Sequence, residues 1–237
     1  MTEIREQLLE MLKAVATALG EDLRNRLVFV GGCTTALFIT DPVTLEDVRS
    51  TDDIDLIVDL AGLHEWAMLL EDLRTKGFVE AADDDVICRM RLGRLKVDFM
   101  PDDEAILGFS NRWYATGIET AQTHILDAGI DIKVLTPPIF VATKLEAFLG
   151  RGNDDLYSSR DAEDLLLMVD GREELLAEIS AASVDVRQFT AEGFRALLAN
   201  SDFDDFLEGN LRKQPGRSAI VKARYVAISQ CDGKNAG

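Results

Sequence analysis

The adjacent prolines Pro137 and Pro138 constrain this chain more than any other feature, because they separate two different hydrophobic periods. Proline lacks the amide hydrogen a strand ladder needs, yet its fixed φ suits the first turn of a helix. Upstream, short apolar or alternating runs predict strands over 26–30, 53–58, 86–92, 95–100, 123–126 and 130–135. Downstream, apolar residues recur at helical spacing and predict helices over 138–149, 159–169, 173–179 and 191–198. A boundary at 137 follows: residues 1–136 form one lobe, with a sheet and flanking helices, and residues 137–237 form a helical lobe.

Three helices are expected in the first lobe. Ile4, Leu8, Met11, Leu12, Val15 and Leu19 make 2–19 amphipathic, with Thr2 to cap it and Gly20 to end it. A small helix over 34–39 follows the Gly31-Gly32 turn. In 63–76, Leu63, Trp66, Leu70 and Leu73 form the expected buried stripe, ended by Gly77. The class is therefore α/β (α+β), and 237 residues suffice for two cores.

Composition narrows the function classes. With 47% apolar and 29% charged residues the chain can pack a core. No apolar run reaches the roughly 18 residues a membrane span requires, and the acidic amino terminus is unlike a signal peptide, so a cytoplasmic location is expected. Cys33, Cys88 and Cys231 are too few and scattered for a disulfide framework, and two histidines give a zinc cluster little to work with. A net charge of −18 repels polyanions at long range, so a nucleic-acid partner needs a local basic surface. Two segments offer one: Arg89, Arg91, Arg94 and Lys96 on the predicted hairpin, and Arg212, Lys213, Arg217, Lys222 and Arg224 near the carboxy terminus.

The stretch Arg49-Ser50-Thr51-Asp52-Asp53-Ile54-Asp55-Leu56 carries the strongest chemical signal. Alternate residues of a strand share a face about 7 Å apart, so Asp53 and Asp55 converge. Standing alone, an Asp-x-Asp pair is most often a solvated strand end. Here Asp98 lies on the polar side of the hairpin strand, opposite in facing to Leu95, Val97 and Phe99, and offers a third carboxylate. Converging carboxylates repel unless a cation sits between them, and hard oxygen ligands suit Mg2+ or Mn2+. Upstream, Val28-Phe29-Val30-Gly31-Gly32 brings a glycine pair to a strand end before a short helix, where exposed amides favour a phosphate. Together these supply a phosphate cradle and a metal clamp for phosphoryl or nucleotidyl transfer.

This arrangement resembles the polymerase-beta nucleotidyltransferase superfamily. More closely, Gly31-Gly32-Cys33-Thr34-Thr35-Ala36-Leu37, followed by Arg49-x-Thr51-x-Asp53-Ile54-Asp55-Leu56, resembles the AbiEii-type nucleotidyltransferase toxins, the group that includes the mycobacterial MenT enzymes. Lys144-Leu145-Glu146-Ala147-Phe148 and Ser159-Arg160-Asp161-Ala162-Glu163-Asp164-Leu165 are similar to that group's downstream lysine motif and Arg-Asp-x-x-Asp helix. Two departures stand out: twenty residues separate Gly32 from Asp53, and Gly32 stands where serine is common.

The resemblance implies a polymerase-beta-like mixed sheet with a helical carboxy-terminal lobe that binds nucleotide and acceptor. It implies transfer of a nucleoside monophosphate from a nucleoside triphosphate to a hydroxyl, with RNA and in particular a tRNA 3′ end as acceptor, in a toxin with a possible cognate antitoxin. The strand facing already makes Asp53, Asp55 and Asp98 the expected metal ligands, and Asp98 is the carboxylate expected to assist deprotonation of the acceptor. Gly31, Gly32, Thr35, Arg49, Thr51, Lys144 and Arg160 fall to the nucleotide, with Asp161 orienting Lys144 or otherwise supporting the site.

The alternatives are a protein-modifying transferase of AMPylator type and an inactive regulatory or antitoxin scaffold. A decayed site would usually have lost one of the three acids. Phosphatases of the haloacid dehalogenase type place Asp-x-Asp after an apolar strand, whereas 49–52 is polar and position 57 is Ile. The chain has no P-loop and no Gly-x-Gly-x-x-Gly, and His64 and His124 lie in no hydrolase elbow.

Overall fold

The structure, a computed structural model, describes residues 3–82, 84, 86–150, 155–211 and 215–232. The expected cap Thr2 lies outside the described residues. Helix α1 (Glu3–Arg24) buries Leu8, Met11, Leu12, Val15 and Leu19 as their spacing dictates. It does not stop at Gly20 but kinks there, at φ 70° and ψ 172°, and continues to Arg24. Without a Cβ, glycine enters that region at no steric cost.

The chain continues through β1 (Leu27–Val30), a 3-10 turn (Gly32–Thr34) and α2 (Thr35–Phe38). After a second 3-10 turn (Thr44–Asp47) come β2 (Asp53–Val58), α3 (Leu63–Thr75), β3 (Arg89–Leu92) and β4 (Leu95–Pro101). The short helices α4 (Glu104–Leu107) and α5 (Tyr114–Glu119) lead to β5 (Gln122–Asp127) and β6 (Ile130–Val134). The six strands form one sheet in the order β3-β4-β2-β1-β6-β5. The β1/β2, β3/β4 and β5/β6 pairs are antiparallel, while β1/β6 and β2/β4 are parallel, so the sheet is mixed. All four residues of β1 are buried, as expected of an inner strand covered on both faces.

Two local expectations are corrected. Leu63 is 65% exposed, and the buried stripe of α3 is Trp66, Leu69 and Leu73, which keeps the i, i+3, i+7 spacing of one helix face. Strand β3 begins at Arg89 and not at Val86, because the amide of Arg89 donates to the Val86 carbonyl at 3.1 Å in a turn that leaves Ile87 exposed.

The chain forms two compact units, Met1–Ala36 with Val48–Thr136, and Leu37–Asp47 with Pro137–Gly237. The second unit is helical. Helix α6 (Pro137–Gly150) is buried along most of its length and packs against α7 (Arg160–Gly171), α8 (Leu175–Ala181) and α9 (Val184–Ala199). Beyond the expected helices lie α10 (Phe203–Asn210) and α11 (Arg217–Ser229), and α11 inserts Val221, Tyr225 and Ile228 among its neighbours.

Residues Leu37–Asp47, which a cut at 137 leaves with the sheet, belong to this helical unit. The amides of Thr40 and Asp41 both donate to the Gly171 carbonyl at 2.9 Å, and the Thr44 hydroxyl donates to Asp170 at 2.8 Å. A Cβ at Gly171 would lie 2.6 Å from a methyl of Ile39, so the close approach requires glycine there. A mixed sheet with flanking helices and a separate helical unit is the α/β class expected. Among the described residues no helix is long and apolar enough to cross a membrane.

Candidate active site

Strands β2 and β4 run parallel, with Asp53 opposite Lys96 and Asp55 opposite Asp98. Directly paired residues of neighbouring strands share a face, and so do residues two apart on one strand. Asp53, Asp55 and Asp98 therefore project from one face across two adjacent strands. Their intervening neighbours Ile54, Leu56, Val97 and Phe99 are fully buried on the other. The alternation of the two strands thus places the carboxylates. The Thr51 hydroxyl donates to Asp53 and ties the strand entry to the first acid.

On the other side of β2, Val30 pairs with Asp55, which brings the glycine turn against that carboxylate. Gly31 has φ 73° and ψ −173°, and a Cβ there would lie 2.7 Å from Cγ and 2.9 Å from Cβ of Asp55. No side chain fits, so glycine is required twice over, by its dihedral and by the packed carboxylate. The expected small helix after the pair is a 3-10 turn followed by four α-helical residues. The turn is closed by Thr34, whose amide and hydroxyl both donate to the Gly31 carbonyl, at 3.2 and 2.9 Å. Gly32 is the first residue of this turn, Thr35 is buried at the start of α2, and Arg49 is half-buried ahead of β2.

Arg89 is a site residue that the motifs do not single out. It lies opposite Asp98 in the β3/β4 hairpin and forks that carboxylate, Nε to Oδ1 at 2.7 Å and Nη2 to Oδ2 at 2.8 Å. The two side chains are only 15% and 11% exposed, so water screens the pair little. The hydrogen bond to Asp98 raises the guanidinium pKa above its usual value against the opposing effect of burial, and the charge of Asp53 adds to the rise. Of its neighbours in the expected basic surface, Arg91 pairs with Asp84 at 2.7 Å and Lys96 with Asp52 at 2.8 Å, while Arg94 is exposed at the hairpin turn.

A divalent ion finds a suitable donor pair in Asp53 and Asp55, hard oxygens on one strand face with the Gly31 backbone packed against the second. Asp98 is a poorer fit as the third ligand, because Arg89 engages both of its oxygens. Among the described residues no group of three His, Cys, Asp or Glu is arranged to hold a metal ion.

Cys88 precedes Arg89 and is buried, and that burial, reinforced by the charges of Asp98 and Asp55, pushes its thiol up to about 12. The thiolate is the reactive form, so iodoacetamide at pH 8 is expected to leave Cys88 unmodified in the folded protein. Peptide mass spectrometry after brief labelling checks this; rapid labelling would show that the start of β3 opens.

In the second unit, Lys144 of α6 is buried and its Nζ lies 3.2 Å from Asp161 and 2.6 Å from Asp164 of α7. The ring of Phe140 is 5.6 Å from the same ammonium. Asp161 thus meets Lys144, as the motif pairing implies, and Asp164 holds it more closely. Arg160 is exposed at the first turn of α7, whose start is capped by Ser159 accepting from the Ala162 amide. The carboxy-terminal basic residues are engaged as well. Arg217 bonds Asp170 and pairs with Asp41, Lys222 pairs with Asp204, and Arg224 donates to the carbonyls of Val169 and Asp170. Arg212 and Lys213 lie outside the described residues.

The sequence matches no known protein family and no curated protein. Among solved structures the chain is similar to an antigenic nucleotidyltransferase-like protein from Paracoccidioides brasiliensis, at 16% identity and a TM-score of 0.47 over 92% of this chain and 93% of that one. A likeness of that size assigns no activity, and the chemistry has to be argued from the residues.

Proposed function

We propose that the protein is a nucleotidyltransferase that moves a nucleoside monophosphate from a nucleoside triphosphate to an acceptor hydroxyl. One observation carries this reading: Asp53, Asp55 and Asp98 share one sheet face, with the side-chain-free turn at Gly31 packed on the middle carboxylate. Structural acids gain little from such convergence, because like charges on adjacent strands repel. Reactions at phosphate benefit from it.

Asp53 and Asp55 would hold Mg2+ or Mn2+, which when bound neutralises phosphate charge and favours ionisation of the acceptor hydroxyl. The turn at Gly31 and Gly32 offers backbone to the phosphates. The acceptor oxygen attacks the α-phosphorus, the bond from that phosphorus to the bridging oxygen breaks, and pyrophosphate leaves. Asp98 takes the acceptor proton after the Arg89 fork opens.

RNA, with tRNA foremost, is the acceptor the toxin resemblance favours, and a cognate antitoxin would accompany that role. A protein hydroxyl is the second reading, supported by the pairing of Arg89, Arg91 and Lys96 with acids in a chain of net charge −18. A polyanion would have to displace those acids before gaining its own contacts. The deciding experiment incubates the protein with each α-labelled nucleoside triphosphate, Mg2+ or Mn2+, and total RNA or protein. Label on RNA supports the first acceptor and label on protein the second. No labelled product with any nucleotide overturns the transferase reading in favour of an inactive scaffold.

A further inference from the structure

We infer that Arg89 is a latch on the third carboxylate: its guanidinium stands where positive charge is needed beside Asp98, and it competes with a divalent cation for that side chain. The inference rests on the metal-dependent reading of Asp53, Asp55 and Asp98.

The hairpin builds the latch. With Leu92 opposite Leu95, the register carries Arg89 to the position facing Asp98, on the side of β4 away from Asp55. Asp98 therefore lies between a cation on β3 and a carboxylate on β2. In the fork both of its oxygens accept hydrogen bonds from the guanidinium, at 2.7 and 2.8 Å. Each oxygen keeps one lone-pair direction, so ligation is geometrically conceivable with the fork closed, but a divalent ion there would face the guanidinium across a single carboxylate. With both side chains largely buried, that repulsion is poorly screened.

Opening the latch requires another anion for Arg89. Among the described residues, the acids whose charges bear on it include Asp98, Asp53 and Asp84, and Asp84 is already paired with Arg91. A nucleoside triphosphate supplies new anionic oxygens, and a guanidinium fork suits phosphate as well as carboxylate. Arg89 would thus pass from Asp98 to the polyphosphate as the third carboxylate becomes available. Metal and nucleotide should then bind cooperatively, each favouring the open state that the other needs.

The test titrates Mn2+ into wild type, Arg89→Gln and Arg89→Lys, reading free Mn2+ by electron paramagnetic resonance. Gln keeps a donor toward Asp98 but no charge, whereas Lys keeps the charge, and thermal melts confirm that each variant is folded. In the absence of nucleotide, Arg89→Gln is expected to bind Mn2+ at least about tenfold more tightly than wild type, with Arg89→Lys close to wild type. A non-hydrolysable nucleoside triphosphate analogue should tighten Mn2+ binding to wild type more than to Arg89→Gln. Equal affinities in wild type and Arg89→Gln remove the latch while leaving the metal reading intact. Weaker binding in Arg89→Gln also removes it and makes Arg89 a positioning residue for Asp98. If neither wild type nor any variant binds Mn2+, with or without the analogue, the metal-dependent reading itself falls.

Discussion

Asp55→Asn is expected to abolish nucleotidyl transfer, lowering the rate by at least about 10² to 10³, the loss typical when a group that stabilises transition-state charge is removed. Asp55 is the middle carboxylate, opposite Asp98 across the parallel pair and in contact with the Gly31 turn, so its loss breaks the set at its centre. Asparagine is nearly isosteric and keeps one acceptor oxygen, so the strand should remain in place. Without metal, the variant should melt at or slightly above the wild-type temperature, because a like-charge contact has been relieved. Mn2+ should raise the wild-type melting temperature and raise that of the variant much less, by mass action on the folded state. Labelled-product assays and paired melts check both halves. Full transfer by Asp55→Asn would remove the central assignment, whatever the melts show.

How much of this site is legible before folding depends on the range of the interaction. That Asp53 and Asp55 share a face, and that Asp98 faces opposite to Val97 and Phe99, follows from the period of a strand alone. That β4 lies beside β2, in parallel and in register, depends on a crossover through α3 that no local pattern encodes. The Arg89 fork lies between these cases. Once Gly93 and Arg94 are taken as the hairpin turn, counting outward puts residue 89 opposite residue 98. Grouping Arg89, Arg91 and Lys96 as a cationic surface conceals that count, because charge composition carries no information on partners.

In the helical unit the same distinction applies. Val221, Tyr225 and Ile228 have ordinary i, i+4, i+7 spacing, but the interleaved Arg217, Lys222 and Arg224 make α11 look like a basic surface segment. Arg217 and Arg224 instead serve the end of α7, where the last-turn carbonyls and Asp170 attract positive charge. The attachment of Leu37–Asp47 to this unit has no hydrophobic period to announce it. It depends on two backbone amides sharing the Gly171 carbonyl and on one threonine hydroxyl.

Lys144→Ala is expected to produce the largest loss of stability among single changes at the motif residues. Lys144, Asp161 and Asp164 are all buried, and the ammonium is the positive group placed between α6 and the two acids of α7. Removing one partner of a buried ion pair is strongly destabilising, because the remaining buried charge loses part of its compensation, at a cost of about 3 to 5 kcal/mol. For a chain of this length that corresponds to a fall in melting temperature of roughly 10 °C or more. Lys144→Met keeps an unbranched apolar stem at this buried position and should fall nearly as far, which would identify lost charge as the cause. Adding Asp164→Asn to Lys144→Met should recover part of the loss, because one of the two buried carboxylates is neutralised. The phosphate contact implied for Lys144 by the toxin resemblance is separated from this effect by titrating nucleotide at a temperature where every variant is folded. A ten- to hundredfold loss of affinity, about the value of one charge-assisted contact, would add nucleotide binding to the structural role. Unchanged affinity with a lowered melt would confine Lys144 to holding α6 and α7 together, and a melt identical to wild type would show that the buried triad contributes no net stability.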